Sequence, residues 1–162
     1  MSVLNNYKSS LTKITIPDKV NVSRLGDNRI DLSYFSALKE FSLPNKTAAF
    51  YCGSCNNLIK GWCGPNVTTM GHSYYNCRNL TDAICGNNVA NMINTYAYCR
   101  NLKNAACGPN VVNMNYTYTS CNNLVNAVCG PNVINMIGTY SECYNLTNAV
   151  CGDNVKNMYY AY

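Results

Sequence analysis

The sequence predicts a repeat solenoid, a stack of short parallel β-strands joined by turns and return segments, with about seven coils. Three observations carry this expectation. Cys55, Cys77, Cys99, Cys121 and Cys143 are each 22 positions apart, and so are Cys63, Cys85, Cys107, Cys129 and Cys151. The columns Leu58 to Leu146, Val67 to Val155, Met70 to Met158 and Tyr74 to Tyr162 keep the same step without a gap. The first 50 residues repeat the apolar spacing in a degraded form.

In chain order, residues 1–50 form irregular N-terminal repeats that act as a cap. "LTKITIPDKV" places Leu11, Ile14, Ile16, Pro17 and Val20 at the spacing of Leu124, Ala127, Cys129, Gly130 and Val133. "LKEFSLPNKTAAF" places Leu38, Phe41 and Leu43 likewise. Leu11 to Leu38 is 27 residues and Leu38 to Leu58 is 20, so these coils are uneven. They also hold seven of the twelve basic and four of the seven acidic residues.

Residues 51–162 hold five regular repeats and continue the same solenoid domain. In each, L-x-x-A-x-C reads as an extended segment with Leu, Ala and Cys pointing inward. Gly64, Gly86, Gly108, Gly130 and Gly152 then supply conformational freedom for a turn, and Pro65, Pro109 and Pro131 preset the next φ. Val and Met, three apart, begin the return path into the core. The column tyrosines sit at the core edge with hydroxyls reaching water. Asn57, Asn79, Asn101, Asn123 and Asn145 form a ladder of amides that satisfies turn backbone. Seven leucine-anchored coils at strand spacing give a rod roughly 30–35 Å long.

Composition excludes several function classes. Charged residues are only 12% of the chain and the net charge is +5, with five Lys/Arg and three Asp/Glu after residue 50. No basic stripe exists for nucleic acid. The N-terminus lacks a secretory h-region, no apolar run is long enough to span a membrane, and the C-terminus carries no lipidation pattern. The expectation is a chain without its own signal peptide, made in the cytoplasm with reduced cysteines. With one histidine, His72, and seven acids outside the repeating pattern, no nucleophile–base pair is visible. The glycines are periodic turn residues and not a phosphate loop. No enzyme and no cofactor are expected.

Eleven cysteines cannot all pair within the chain. Stacking places equivalent cysteines within the reach of a disulfide, but the columns occupy aliphatic positions, so cysteine serves as a small buried hydrophobe. Cys52 and Cys55 make the one C-x-x-C. Register puts Cys55 in the first cysteine column and Cys52 in the tyrosine column, 22 before Tyr74. Without a second C-x-x-C, no metal site is expected.

"LTKITIPDKV" resembles the Leu-x-x-Ile-x-Ile-Pro-x-x-Val core of the leucine-rich repeats in BspA-type bacterial surface proteins. "NVINMIGTYSECYNL" resembles the N-V-x-N-M-x-x-x-F-x-x-C-x-x-L stretch of a related branch. The likeness covers nearly the whole chain. The sequence departs from it in using Tyr for Phe, and Cys and Ala where Ile or Leu is common. The resemblance implies a right-handed leucine-rich-repeat stack with irregular or short helical return segments. It also implies adhesion, binding of matrix or host proteins, display on a surface, and no catalysis.

The residue between Ala and Cys alternates outward, giving the file Trp62, Ile84, Ala106, Val128 and Val150, with Thr15 and Ser42 in the N-terminal coils. An apolar file outside a sheet invites a protein partner, and in leucine-rich repeats this face is the usual binding surface. Tyr75, Tyr98, Tyr116 and Tyr144 lie off the tyrosine column and are candidates for exposed contact. Two functions follow: an attachment or protein-recognition scaffold, or a structural component of a phage or virus particle, such as a fibre, decoration or tail-associated protein. Tyr162 opens an eighth coil, so "NMYYAY" either folds over the end or docks on another subunit as a homo-oligomer.

Overall fold

A computed structural model describes residues 8–19 and 29–162. Val20 and the first seven residues lie outside the described residues. Among the described residues there are seven three-residue strands: β1 (Lys13–Thr15), β2 (Arg29–Asp31), β3 (Glu40–Ser42), β4 (Ala49–Tyr51), β5 (Asn104–Ala106), β6 (Asn126–Val128) and β7 (Asn148–Val150). Every pairing is parallel: β1 with β3, β2 with β4, and β5 with β6 with β7. Ala105, Ala127 and Ala149 are direct partners, so register advances by one repeat per coil. The seven leucine anchors from Leu11 to Leu146 bound six full turns.

Each coil has three sides. The first carries the L-x-x-A-x-C segments. The second carries β2 and β4 and continues as single bridges from Thr69 through Asn91, Asn113 and Asn135 to Asn157. Among the described residues no helix forms there, so the short helical return segments that the family resemblance allowed are replaced by turns.

The third side is the turn leading to the first cysteine column. The N–H groups of His72, Tyr74 and Asn76 donate to the carbonyls of Ile93, Thr95 and Ala97 one coil on, at 2.8–3.0 Å. Asn94, Tyr96 and Tyr98 repeat this to Asn115, Thr117 and Thr119. Two residues per turn hold positive φ to aim these groups along the stack. One column is Ser54, Asn76, Tyr98, Ser120 and Glu142; the other is His72, Asn94, Tyr116, Gly138 and Tyr160. Nine of the ten are not glycine, although the left-handed region disfavours a Cβ.

The conformational freedom expected at the Cys-Gly turns is therefore used elsewhere. None of those glycines has positive φ; space between coils requires them instead. A Cβ at Gly108 would lie 2.6 Å from the Gly86 carbonyl oxygen, and one at Gly130 would lie 2.6 Å from that of Gly108. Beside them, the amides of Asn88, Asn110, Asn132 and Asn154 each donate to a carbonyl of the preceding coil at 2.7–2.9 Å. Asn101 and Asn123 also donate to Asn79 and Asn101, building the amide ladder.

One hydrophobic core runs from Ile14 to Cys143. The leucine, valine, methionine and tyrosine columns line it. The tyrosines are not at its edge, as expected, but inside: Tyr74, Tyr96 and Tyr118 have no solvent exposure. Their rings stack nearly parallel, 5.3–5.9 Å apart from Tyr74 to Tyr140. A further column, Ser73, Thr95, Thr117 and Thr139, is also buried. The Thr95 hydroxyl sits at 2.8 Å from the carbonyls of both Met92 and Met70, joining its own coil to the preceding one.

The C-terminal segment does not fold over the end. Tyr159 and Ala161 accept from Gly138 and Tyr140, continuing the stack, and Met158, Tyr159, Tyr160 and Tyr162 stay exposed.

Gly108→Ala and Gly130→Ala should each lower stability by about 1–3 kcal/mol, the range for forcing added volume into a packed site. Gly71→Ala should be close to neutral, because the nearest atoms to its added carbon lie at 3.8 Å. Urea unfolding followed by far-UV circular dichroism checks both.

Candidate functional site

The candidate surface is the outer face of the first side. Around the inward Ala127, β6 turns Asn126 and Val128 to solvent, and β5 and β7 do the same with Asn104, Ala106, Asn148 and Val150. Val128 and Val150 are 52% and 50% exposed, and Ile84 continues the file toward the N-terminus. Ile59 and Val125, on the other side of the strand, add exposed apolar area.

Trp62 departs from this file. Its ring packs inward, 5.5 Å from Phe50 and 6.1 Å from Phe41. Two substitutions in that layer, beside a column glycine, explain it. Gly61 stands where later coils carry Ala, Cys52 stands where they carry Tyr, and Gly64 leaves room that the indole covers. A missing tyrosine ring and a missing methyl open a volume that the largest side chain fills. Trp62 is half-buried and packs against the core.

The column tyrosines support the face from behind. The Tyr96 hydroxyl donates to the Ile84 carbonyl and accepts from the Ile84 N–H at 2.8 Å. Tyr74 does the same with Trp62. Tyr118 donates to the Ala106 carbonyl at 3.2 Å, while Tyr140 and Tyr162 meet the sulfurs of Cys129 and Cys151 at 3.3 and 3.2 Å. The partner changes along the stack. Where the hydroxyl takes both backbone groups, at Trp62 and Ile84, the segment is not a strand; where it takes one or none, β5, β6 and β7 pair with each other. Hydroxyl and neighbouring coil compete for the same backbone.

At the N-terminal end of the face a shallow hollow of about 350 Å3 is lined by Thr12, Lys13, Lys39, Glu40, Ile59 and Lys60. Lys13 and Glu40, direct strand partners, form an ion pair of 2.7 Å, and the Lys13 hydrogen bond holds the Glu40 carboxyl below its ordinary range. The charge of the irregular coils thus lies beside the apolar file.

The four off-column tyrosines do not make one surface. Tyr75 and Tyr98 meet edge to face at 5.3 Å, with His72 at 5.9 Å from Tyr75. Tyr116 lies over Gly138, where a Cβ would strike its ring. Tyr144 is exposed and lines a hollow of about 330 Å3 at the open end with Tyr140, Glu142, Cys143, Leu146 and Tyr162. Among the described residues no group of three His, Cys, Asp or Glu is placed to hold a metal, and no helix is long and apolar enough to cross a membrane.

Sequence reasoning missed the backing role of the tyrosines and the Ser/Thr column. The signal for the second was present: hydroxyl residues recur at Ser73, Thr95, Thr117 and Thr139, always one before the column tyrosine.

Comparison with solved structures bears on this geometry. A crystal structure of a leucine-rich-repeat protein from T. pallidum superposes with a TM-score of 0.75, over 90% of this chain and 72% of that one, at 15% identity. This chain has the leucine-rich-repeat fold. A leucine-rich cell-surface protein from Faecalibacterium prausnitzii also matches, with a TM-score of 0.48 over 92% of this chain and 62% of that one, at 14% identity. No protein-family model and no curated protein matches the sequence. The β5–β6–β7 sheet and the bridged second side are this leucine-rich-repeat chain's version of the stacked coil.

Tyr96→Phe should cost about 1–3 kcal/mol, because it strips the partner from two Ile84 backbone groups. Tyr140→Phe should cost less, since its hydroxyl meets only a thiol; urea unfolding of the two variants tests the order.

Burial also raises the thiols of Cys85 and Cys143 from 9.0 to about 11, and pushes the Tyr96 and Tyr118 phenols well above 10.0. Above these ordinary values the unfolded chain loses protons that the folded chain keeps, so unfolding is favoured as pH rises. Urea midpoints should be flat up to about pH 8 and fall steadily between about pH 9 and 11, as the unfolded thiols and then phenols ionise.

Proposed function

We propose that this chain is a non-catalytic leucine-rich-repeat scaffold that attaches to a protein partner at an extracellular surface, through the outer sheet face. The observation that carries the reading is the exposed apolar file Ile84, Ala106, Val128 and Val150 on a framework backed by buried tyrosines. A rigid apolar row flanked by asparagines and bordered by Lys39 and Lys60 suits a protein surface, with apolar contacts at the centre and polar groups at the rim. Half-buried Trp62 adds to it, and Tyr75 with Tyr98 forms a smaller aromatic contact on another side.

A second reading has its own observation. At the last coil, Met158, Tyr159, Tyr160 and Tyr162 are exposed beside the hollow under Tyr144. An exposed aromatic patch of this kind fits contact with another subunit, as in a component of a larger assembly such as a phage or virus particle.

Surface plasmon resonance of the chain over immobilised collagen, fibronectin, laminin and fibrinogen tests the first reading. Saturable binding to at least one is expected, weakened at least about tenfold when Val128 and Val150 both become Asp, since fully desolvated apolar contacts carry interface affinity. Val112→Asp, on the second side, should leave it unchanged. Absence of binding, or binding indifferent to Val128 and Val150, would contradict the reading. Light scattering separates the second: a monomer at high concentration would count against it.

A further inference from the structure

The repeating cysteines keep their sulfurs on separate partners. The thiols of Cys77, Cys99, Cys121 and Cys143 donate to the carbonyls of Cys52, Tyr74, Tyr96 and Tyr118 at 3.0–3.1 Å. The sulfurs of Cys63 and Cys107 accept from the N–H groups of Gly86 and Gly130. Those of Cys129 and Cys151 face the hydroxyls of Tyr140 and Tyr162.

One pair behaves differently. The Cys52 and Cys55 sulfurs lie 2.8 Å apart, within one turn of the same coil. Both residues are without solvent exposure. The contact has a local cause. Cys55 N–H donates to the Cys52 carbonyl at 3.3 Å, and Ser54 at φ 59° closes the turn between them. Such a turn brings its end Cα atoms within about 7 Å, which overlaps the window of a disulfide. No later coil can do this, because each carries Tyr in the Cys52 column.

We propose that Cys52 and Cys55 are an oxidisable dithiol that closes to a single disulfide, while the other nine cysteines remain thiols. The reaction is exchange with a low-molecular-weight disulfide. One thiolate attacks the reagent, forming a mixed disulfide and releasing one small thiol. The second cysteine then attacks the mixed disulfide and releases the other. Two S–H bonds are lost, one S–S bond forms, and the reagent is reduced to two thiols. The closed ring sits at the junction of irregular and regular coils, where Cys52 and Ser54 N–H groups donate to Ser73 and Tyr75 at 2.8 and 2.7 Å. It fixes the first rung of the third-side ladder before the regular coils stack on it. Hydrogen bonds with Cys55 and Cys77, together with burial, hold the Cys52 thiol protonated once folded, so closure belongs to the folding reaction.

The test starts from the full chain, reduced and unfolded in urea. It is refolded into a buffer of reduced and oxidised glutathione, quenched with acid, alkylated under denaturing conditions and mapped by mass spectrometry. Nine alkylated cysteines and one peptide containing a Cys52–Cys55 link are expected. Eleven alkylated cysteines, a stable glutathione adduct at Cys52 or Cys55, or a link between stacked coils such as Cys77 to Cys99 would each overturn the proposal. In Cys52→Ser, Cys55 should be recovered alkylated or glutathionylated; an intrachain link to Cys55 in that variant would also overturn it. Because the wild-type map stands alone, the outcome does not depend on how well the variant folds.

Discussion

The structure depends on backbone hydrogen bonds that run from each coil to the next with every residue placed over its own counterpart. On the third side the N–H groups of Tyr74, Tyr96, Tyr118 and Tyr140 all point one coil onward, to Thr95, Thr117, Thr139 and Ala161. This constraint turns a sequence repeat into rows of identical contacts. A residue that tolerates its own copy at strand spacing can occupy a column; one that does not would disrupt every layer. Tyrosine rings stacked at 5.3–5.9 Å satisfy the constraint and contribute about 0.5–1.5 kcal/mol per pair beyond their burial. Glycine satisfies it at the Cys-Gly turn because its neighbour's carbonyl occupies the place of a Cβ. Cysteine satisfies it as a small side chain with a weak donor, the thiols of Cys77, Cys99, Cys121 and Cys143 each resting on the preceding coil's carbonyl.

The same register links core to surface. A tyrosine hydroxyl crosses the coil to reach the backbone behind the candidate binding face, and there it competes with sheet pairing. Near Trp62 and Ile84 the hydroxyl wins and the sheet is interrupted; from β5 onward the coils pair directly. The face is therefore sheet at both ends, β1 with β3 and β5 with β6 with β7, and is interrupted between them at Trp62 and Ile84. The half-buried Trp62 sits in the interruption, and the Lys13–Glu40 pair lies on the paired strands before it. The charged hollow and the C-terminal part of the apolar file are two sheet-backed ends of one surface.

Much of this was legible in the sequence. The leucine, valine and methionine columns had to be inward, because only stacking buries them, and the outward file followed from strand alternation through Ala105 and Ala127. The depth of the tyrosines was not legible. A phenol suits both a wet edge and a buried crossbar, and the choice rests on a carbonyl at Ile84 or Ala106, twelve residues earlier in the chain. The positive-φ positions were hidden because their occupants, such as Glu142, Ser120 and Tyr98, share no side-chain chemistry; only Asn76, Asn94 and Gly138 hint at them. Trp62 looked like the strongest surface anchor because its column faces outward. Its inward turn depends on Gly61, Cys52 and Gly64 together, which no single column reveals.

Removal of one whole coil tests the central claim of like-on-like stacking most directly. Deleting residues 101–122 joins Arg100 to Asn123 and restores the "RNL" of the repeat, so every column closes up. Urea unfolding of that chain should show a cooperative transition and a native-like far-UV spectrum, whereas deleting only residues 101–111 should abolish both. A folded half-coil deletion, or an unfolded whole-coil deletion, would contradict the stacking register.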